Sequence, residues 1–121
     1  MKQIIVMRTD LRNAKGEKVR TGKLIAQGAH ASLGAVLATG LDDPRVAEWL
    51  AGGFTKVCVR VDSEAELIAV WDKAISAGLI TRFITDNGQT EFGGVPTSTC
   101  CAIGPDTNEA LAPITGHLKL L

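Results

Sequence analysis

Lys23, Gln27 and His30 stand at i, i+4 and i+7 within GKLIAQGAHAS, residues 22–32. On a helix this spacing sets an ammonium, an amide and an imidazole along one stripe. Lys23 falls in the first turn, where its charge opposes the helix dipole by about 0.3–1 kcal/mol. There it joins the free backbone N–H groups to make a place for an anion. Around the stripe lie Ala26, Gly28, Ala29, Ala31, Gly34 and Ala35, which let another surface come close. Gly28 and Gly34 each cost a helix about 1 kcal/mol against alanine, so something other than helix propensity asks for them.

Asp86 opens the segment DNGQT, residues 86–90. A carboxylate beside an ammonium stays ionised. It can then orient or deprotonate a water, with Thr90 as hydroxyl partner. Thr97 and Thr99, two apart on a strand, face one side and offer two more hydroxyls. Each of these residues also has an ordinary reading. A first-turn lysine often lays its stem on apolar surface. An aspartate before Asn-Gly is often only an Asx cap. A lone helical histidine such as His30 is more often structural, and His117 has no partner at a useful spacing. No His, Cys or carboxylate set has metal-ligand spacing. P-loop, G-x-G-x-x-G and G-x-S-x-G patterns are all missing. No metal is expected.

A small set of elements must position these groups. Lys2–Arg8 reads as a buried strand, and residues 9–21 as a polar loop turning at Lys15-Gly16. The first helix runs from Gly22 to about Thr39 and stops at Gly40. Asp43-Pro44 opens a second, short helix that reaches about Ala51. Phe54–Val61 alternates as a strand, with Val57, Val59 and Val61 on one side. Ser63 and Glu66 form a capping box. The helix they open carries Leu67, Ile68, Trp71, Ala74 and Ile75 on one face. Leu79–Thr85 and Thr97–Ile103 are the third and fourth strands, joined by a glycine-rich loop over 86–96. Gly104-Pro105 turns into a short helix starting near Asp106, and residues 117–121 form a tail able to add a short strand.

Helical crossovers make the first three strands parallel, and the fourth runs against them. The expected fold is α/β: a three-layer α/β/α sandwich around a mixed sheet of about four strands. It occupies residues 1–121 as one domain. Sites in such sheets gather at the carboxyl ends of the parallel strands. Those ends are Arg8-Thr9-Asp10, Val61-Asp62 and Thr85-Asp86, at the edge from which the Lys23 helix starts.

The length of 121 residues suffices for a real core without disulfide staples. Adjacent cysteines on a strand point to opposite faces, so Cys100 and Cys101 read as buried thiols rather than a bridge. There is no signal-peptide pattern, and no apolar run nears the roughly 20 residues that cross a bilayer. The chain is therefore expected in the cytoplasm and off the membrane. Its net charge is zero, yet the first 24 residues carry an excess of five positive charges. Arg12, Lys15, Lys18 and Arg20 concentrate that excess in the first loop. A local basic patch can meet phosphates even on a neutral protein. On charge alone, a solvated flexible loop is an equal alternative.

Six segments together resemble the type 2 peptidyl-tRNA hydrolase family, the archaeal and eukaryotic type with scattered bacterial members. They are RTDL (8–11), GKLIAQGAHAS, VDSEAEL (61–67), DNGQT, IGP (103–105) and TGHLKLL (115–121). The resemblance implies hydrolysis of the ester joining a peptide to the 3′ end of tRNA. It also implies a homodimer and no cofactor. The family's active-site lysine falls on Lys23, its aspartate on Asp86 and its following threonine on Thr90. The helix glutamine and histidine fall on Gln27 and His30, and the strand threonines on Thr97 and Thr99. Two departures stand out. The link between RTDL and GK, residues 12–21, is longer than usual and basic. The loop after DNGQT reads EFGGVP, one residue longer than usual, and Asn87 replaces a small residue.

On this reading Asp86 aligns a water and Thr90 fixes the carboxylate or the water. Lys23 stabilises negative charge or holds a phosphate. Gln27, His30, Thr97 and Thr99 bind the ribose or the acyl group. Arg12, Lys15, Lys18 and Arg20 contact the acceptor-stem backbone, with the salt dependence such contacts bring. Other readings are a non-catalytic tRNA- or ribosome-binding module, a hydrolase of another acyl ester, and a structural dimer.

Overall fold

Strand β1 (Lys2–Arg8) sends alternate side chains into two separate cores. Ile4 and Val6 join one core and Met7 the other, as a strand buried on both faces requires. In the computed structural model, which describes residues 1–121, three layers follow from that alternation. Helices α1 (Thr21–Thr39) and α2 (Pro44–Ala51) cover one face; α3 (Glu64–Ser76) and α4 (Asn108–Thr115) cover the other. Between them lie β1, β2 (Lys56–Val61), β3 (Thr81–Asp86) and β4 (Thr97–Asp106), in the sheet order β2-β1-β4-β3. β1 and β2 pair parallel, and β4 is antiparallel to both β1 and β3. The first three strands therefore share a direction, and the α/β sandwich is the expected one.

Cys100 sits in the α1 core and Cys101 in the α3 core, both free thiols. Ser63 caps α3 through its hydroxyl, which accepts from the Glu66 N–H, and Glu66 reaches back to the Asp62 N–H.

Three expectations need correction. The buried stripe of α3 is Leu67, Val70 and Ala74, while Ile68 and Ile75 stay substantially exposed. β4 runs on through Gly104 and Pro105 to Asp106, because Lys2 at the start of β1 still pairs with Asp106. The link over 9–21 is not simply a polar loop. Leu11 and Val19 are buried in the α1 core, and Arg12 bridges to Lys18 antiparallel. The Asn13 side chain accepts from the N–H groups of Lys15 and Glu17, closing the turn. The tail makes a single bridge, Leu120 to Val59.

Candidate active site

The carboxyl end of β3, the start of β4 and the first turns of α1 meet at one edge of the sheet. Asp86 is the last residue of β3 and lies opposite Thr97 in register. Lys23 lies in the first turn of α1. Its Nζ donates to Asp86 Oδ1 at 2.9 Å and to Thr90 Oγ1 at 3.0 Å. Both charged side chains keep 12% of their surface exposed, so a substrate can reach the pair. The Phe92 ring lies 5.9 Å from the ammonium.

The turn after β3 supplies a further donor. Gly88 adopts φ +82°, and its N–H points at Asp86 Oδ2 from 2.9 Å. A Cβ at this position would stand 2.2 Å from the Val95 carbonyl oxygen. Only glycine fits both the backbone conformation and that close approach. Burial pushes the Asp86 carboxyl upward. The Lys23 hydrogen bond, the Gly88 N–H, the Lys23 charge and the Gln27 amide outweigh it, and the group ends below its usual range.

Gln27 is buried, and its amide is committed at both ends. Nε2 donates to Asp86 Oδ1 at 3.3 Å, and Oε1 accepts from Thr99 Oγ1 at 2.6 Å. Thr99 is fully buried. Gln27 thus braces Asp86 from behind, and Thr99 braces Gln27. A β-bulge makes this possible. Thr85 pairs with Ser98 and Ile84 with Cys100, so Thr99 is the extra residue. Thr99 and Cys100 both turn toward α1, where the Cys100 thiol donates to the Gln27 carbonyl at 3.3 Å. Bulges beside sites commonly re-aim a side chain in this way.

Thr97 shares the face of Asp86, but its hydroxyl donates to the Val95 carbonyl at 2.9 Å. His30 is exposed and forms no hydrogen bond within the chain. With Gln27, Ile84 and Asp86 it lines an open groove of about 410 Å³. Arg12, Lys15 and Lys18 are exposed and unpaired by any carboxylate. Arg20 differs: it pairs with the buried carboxylate of Glu91, so its charge is compensated. Reasoning from sequence missed Gly88 and Glu91. The Asn87-Gly88 dipeptide did signal a tight turn; nothing local marked Glu91.

No helix is long and apolar enough to cross a membrane. No group of three His, Cys or carboxylate side chains is arranged to hold a metal ion. The cluster is an ionised carboxylate, an ammonium and a hydroxyl at the mouth of a groove. That is the equipment of a hydrolase that works through an oriented water and an oxyanion stabiliser.

The model of the family described as peptidyl-tRNA hydrolase PTH2 matches residues 1–121. A protein of Methanocaldococcus jannaschii named peptidyl-tRNA hydrolase is 46% identical over 122 residues, the whole of both chains. Proteins of that name from Haloquadratum walsbyi and Methanothermobacter thermautotrophicus are 42% and 38% identical, covering 99% and 100% of each chain. The chain belongs to the peptidyl-tRNA hydrolase PTH2 family.

Proposed function

We propose that this protein hydrolyses the ester between a peptide and the 3′ end of tRNA, releasing free tRNA. The observation that carries the mechanism is the Lys23 ammonium bridging Asp86 Oδ1 and Thr90 Oγ1. In ester hydrolysis a water adds to the carbonyl carbon, negative charge grows on the carbonyl oxygen, and the ribose oxygen then leaves. Asp86 has its pKa lowered, so it is a weak base near neutral pH and acts mainly by orienting the water. Lys23 faces the growing negative charge. Thr90 fixes the ammonium by accepting from it. Gln27, Thr99 and the Gly88 N–H hold the carboxylate in place. His30 lines the groove where the ribose and acyl group bind, and Thr97 stands opposite Asp86 on β4 as a further hydroxyl beside the centre.

Arg12, Lys15 and Lys18 contact the tRNA phosphates, with Arg20 tethered to Glu91 at the root of that loop. A homodimer agrees with the apolar face that α1 and α2 leave open. Leu41 is 63% exposed there and Leu33 60%, beside Leu50 and Phe54. Such a face on a lone chain invites a partner. A cytoplasmic location fits a substrate that translation produces.

The test is turnover of a peptidyl-tRNA by the purified protein, with Lys23→Ala and Asp86→Asn alongside. Each variant is expected to lose about 10²–10³-fold in kcat. Full activity in both variants would remove the site. A wild type that binds tRNA without turnover would instead indicate a binding module. Light scattering in solution reads the dimer directly.

A further inference from the structure

Arg82 lies on β3 four residues before Asp86, on the same face of the sheet as Ile84 and Asp86. At about 3.3 Å per residue it stands some 13 Å from the carboxylate. Its stem crosses α1 at Gly34. A Cβ on Gly34 would stand 2.9 Å from Arg82 Cγ and 3.2 Å from Nε. The second glycine of the helix thus gives the arginine room to lie there. The guanidinium has no hydrogen bond and no carboxylate partner within the chain, and the residue is exposed. No acidic side chain occurs anywhere in α1. The groove of about 410 Å³ joins Arg82 to His30, Gln27 and Asp86. Asp86, the carboxylate of that groove, is already neutralised by Lys23 at 2.9 Å. The groove therefore presents one uncompensated cation, whose planar fork of donors suits an oxyanion.

We infer that Arg82 clamps an oxyanion of the substrate at the far end of the groove that begins at Asp86. The oxyanion is either a phosphodiester of the tRNA 3′ strand or a side-chain carboxylate of the peptide. The inference rests on the proposed reaction, which supplies a substrate carrying both. It adds a binding residue beyond the Lys23–Asp86 centre, and it gives Gly34 a purpose.

The experiment compares wild type with Arg82→Ala, Arg82→Lys and Gly34→Ala. Binding is read on analogues whose peptide is joined to tRNA by a non-hydrolysable amide, one peptide neutral and one acidic. Turnover is read on the matching esters. Because binding is measured without hydrolysis, an inactive enzyme and an idle Arg82 give different results. Arg82→Ala is expected to raise Kd and KM about tenfold with kcat little changed. Arg82→Lys restores part of the loss, and Gly34→Ala, which pushes the stem aside, reproduces part of it. A phosphate ligand shows as an equal rise for both peptides and a salt slope shallower by about 0.7. A carboxylate ligand shows as a rise confined to the acidic peptide. Kd for Arg82→Ala within twofold of wild type on both analogues overturns the inference.

Discussion

Replacing Gly88 by alanine separates the strain of a turn from its work on the carboxylate. Two costs reach the stability. The left-handed backbone at φ +82° penalises a side chain by about 1–2 kcal/mol. Displacing the N–H from Asp86 Oδ2 forfeits a hydrogen bond to a charged group, about 1.5–3 kcal/mol. A further cost falls on geometry. The new Cβ would stand 2.2 Å from the Val95 oxygen and 2.6 Å from its nitrogen, all backbone. No side chain can swing away, so the turn must open by about 1 Å, a displacement able to reduce rate about 10²-fold. Gly94 is the control. It has φ +80° in the same loop, yet a Cβ there meets nothing within 4 Å. Gly94→Ala is therefore expected to lose about 1–2 kcal/mol in urea unfolding and to keep kcat/KM within about threefold. Gly88→Ala is expected to lose at least about 2 kcal/mol and about 100-fold in kcat/KM on peptidyl-tRNA. Equal losses of activity in the two variants, or a Gly88→Ala enzyme as active as wild type, would refute the assignment of the turn to Asp86.

Gln27→Leu leaves the Thr99 hydroxyl buried without its main acceptor and is expected to destabilise by about 1–3 kcal/mol. Adding Thr99→Val removes the stranded hydroxyl, so urea stability recovers while activity does not; joint recovery of both would deny Gln27 its hold on Asp86. The folded pKa of Asp86 lies below its unfolded value, so the unfolded state binds more protons between the two, and stability rises with pH there. Its contribution is complete above the unfolded value near 3.9 and is lost as pH falls through the folded one. The stability difference between wild type and Lys23→Met should be flat from about pH 5 to 8 and shrink in acid; a difference that instead shrinks toward pH 8 would contradict the pairing. Burial pushes the Cys100 thiol up to about 11 and the Cys101 thiol further still. Native protein should therefore give one fast thiol, Cys58, against three after denaturation; rapid modification of all three in native protein would show an opening core.

Much of this centre was legible because it is local or periodic. The i, i+4 relation of Lys23 and Gln27 survives folding unchanged, and Asp86 stands at the carboxyl end of its strand, the edge that the sheet topology singled out. The capping residues Asp43 and Ser63 marked their helices correctly, each accepting from the expected N–H. What escaped was set by contacts distant in sequence. The bulge at Thr99 is a mismatch between two strands, and neither strand alone records it. Nothing near Gln27 in sequence showed that both ends of its amide would be occupied, 59 and 72 residues away. Ile68 and Ile75 fit an apolar stripe, yet α3 rotates to bury Val70 instead. Periodicity fixes a helix face to within about one residue, and the sheet it packs on chooses among the options.

The two segments where the sequence is expected to depart from the family pattern touch each other. The link over 12–21 does not hang free in solvent. Arg20, at its end, pairs with the buried carboxylate of Glu91, the first residue of the EFGGVP loop. The Ala14 N–H donates to the Glu91 carbonyl at 2.8 Å, and a Cβ on Gly93 would lie 3.3 Å from the Ala14 methyl. The link needs a surface to fold against, and Leu11 and Val19 bury beside Phe92 to give it one. Glu91 directly follows Thr90, whose hydroxyl receives the Lys23 ammonium. The clasp thus ties the basic loop to the residue beside the proposed reacting centre, through a carboxylate that burial makes costly to leave unpaired. Substituting either loop alone should strand a charge or an apolar side chain, so the two loops act as one feature.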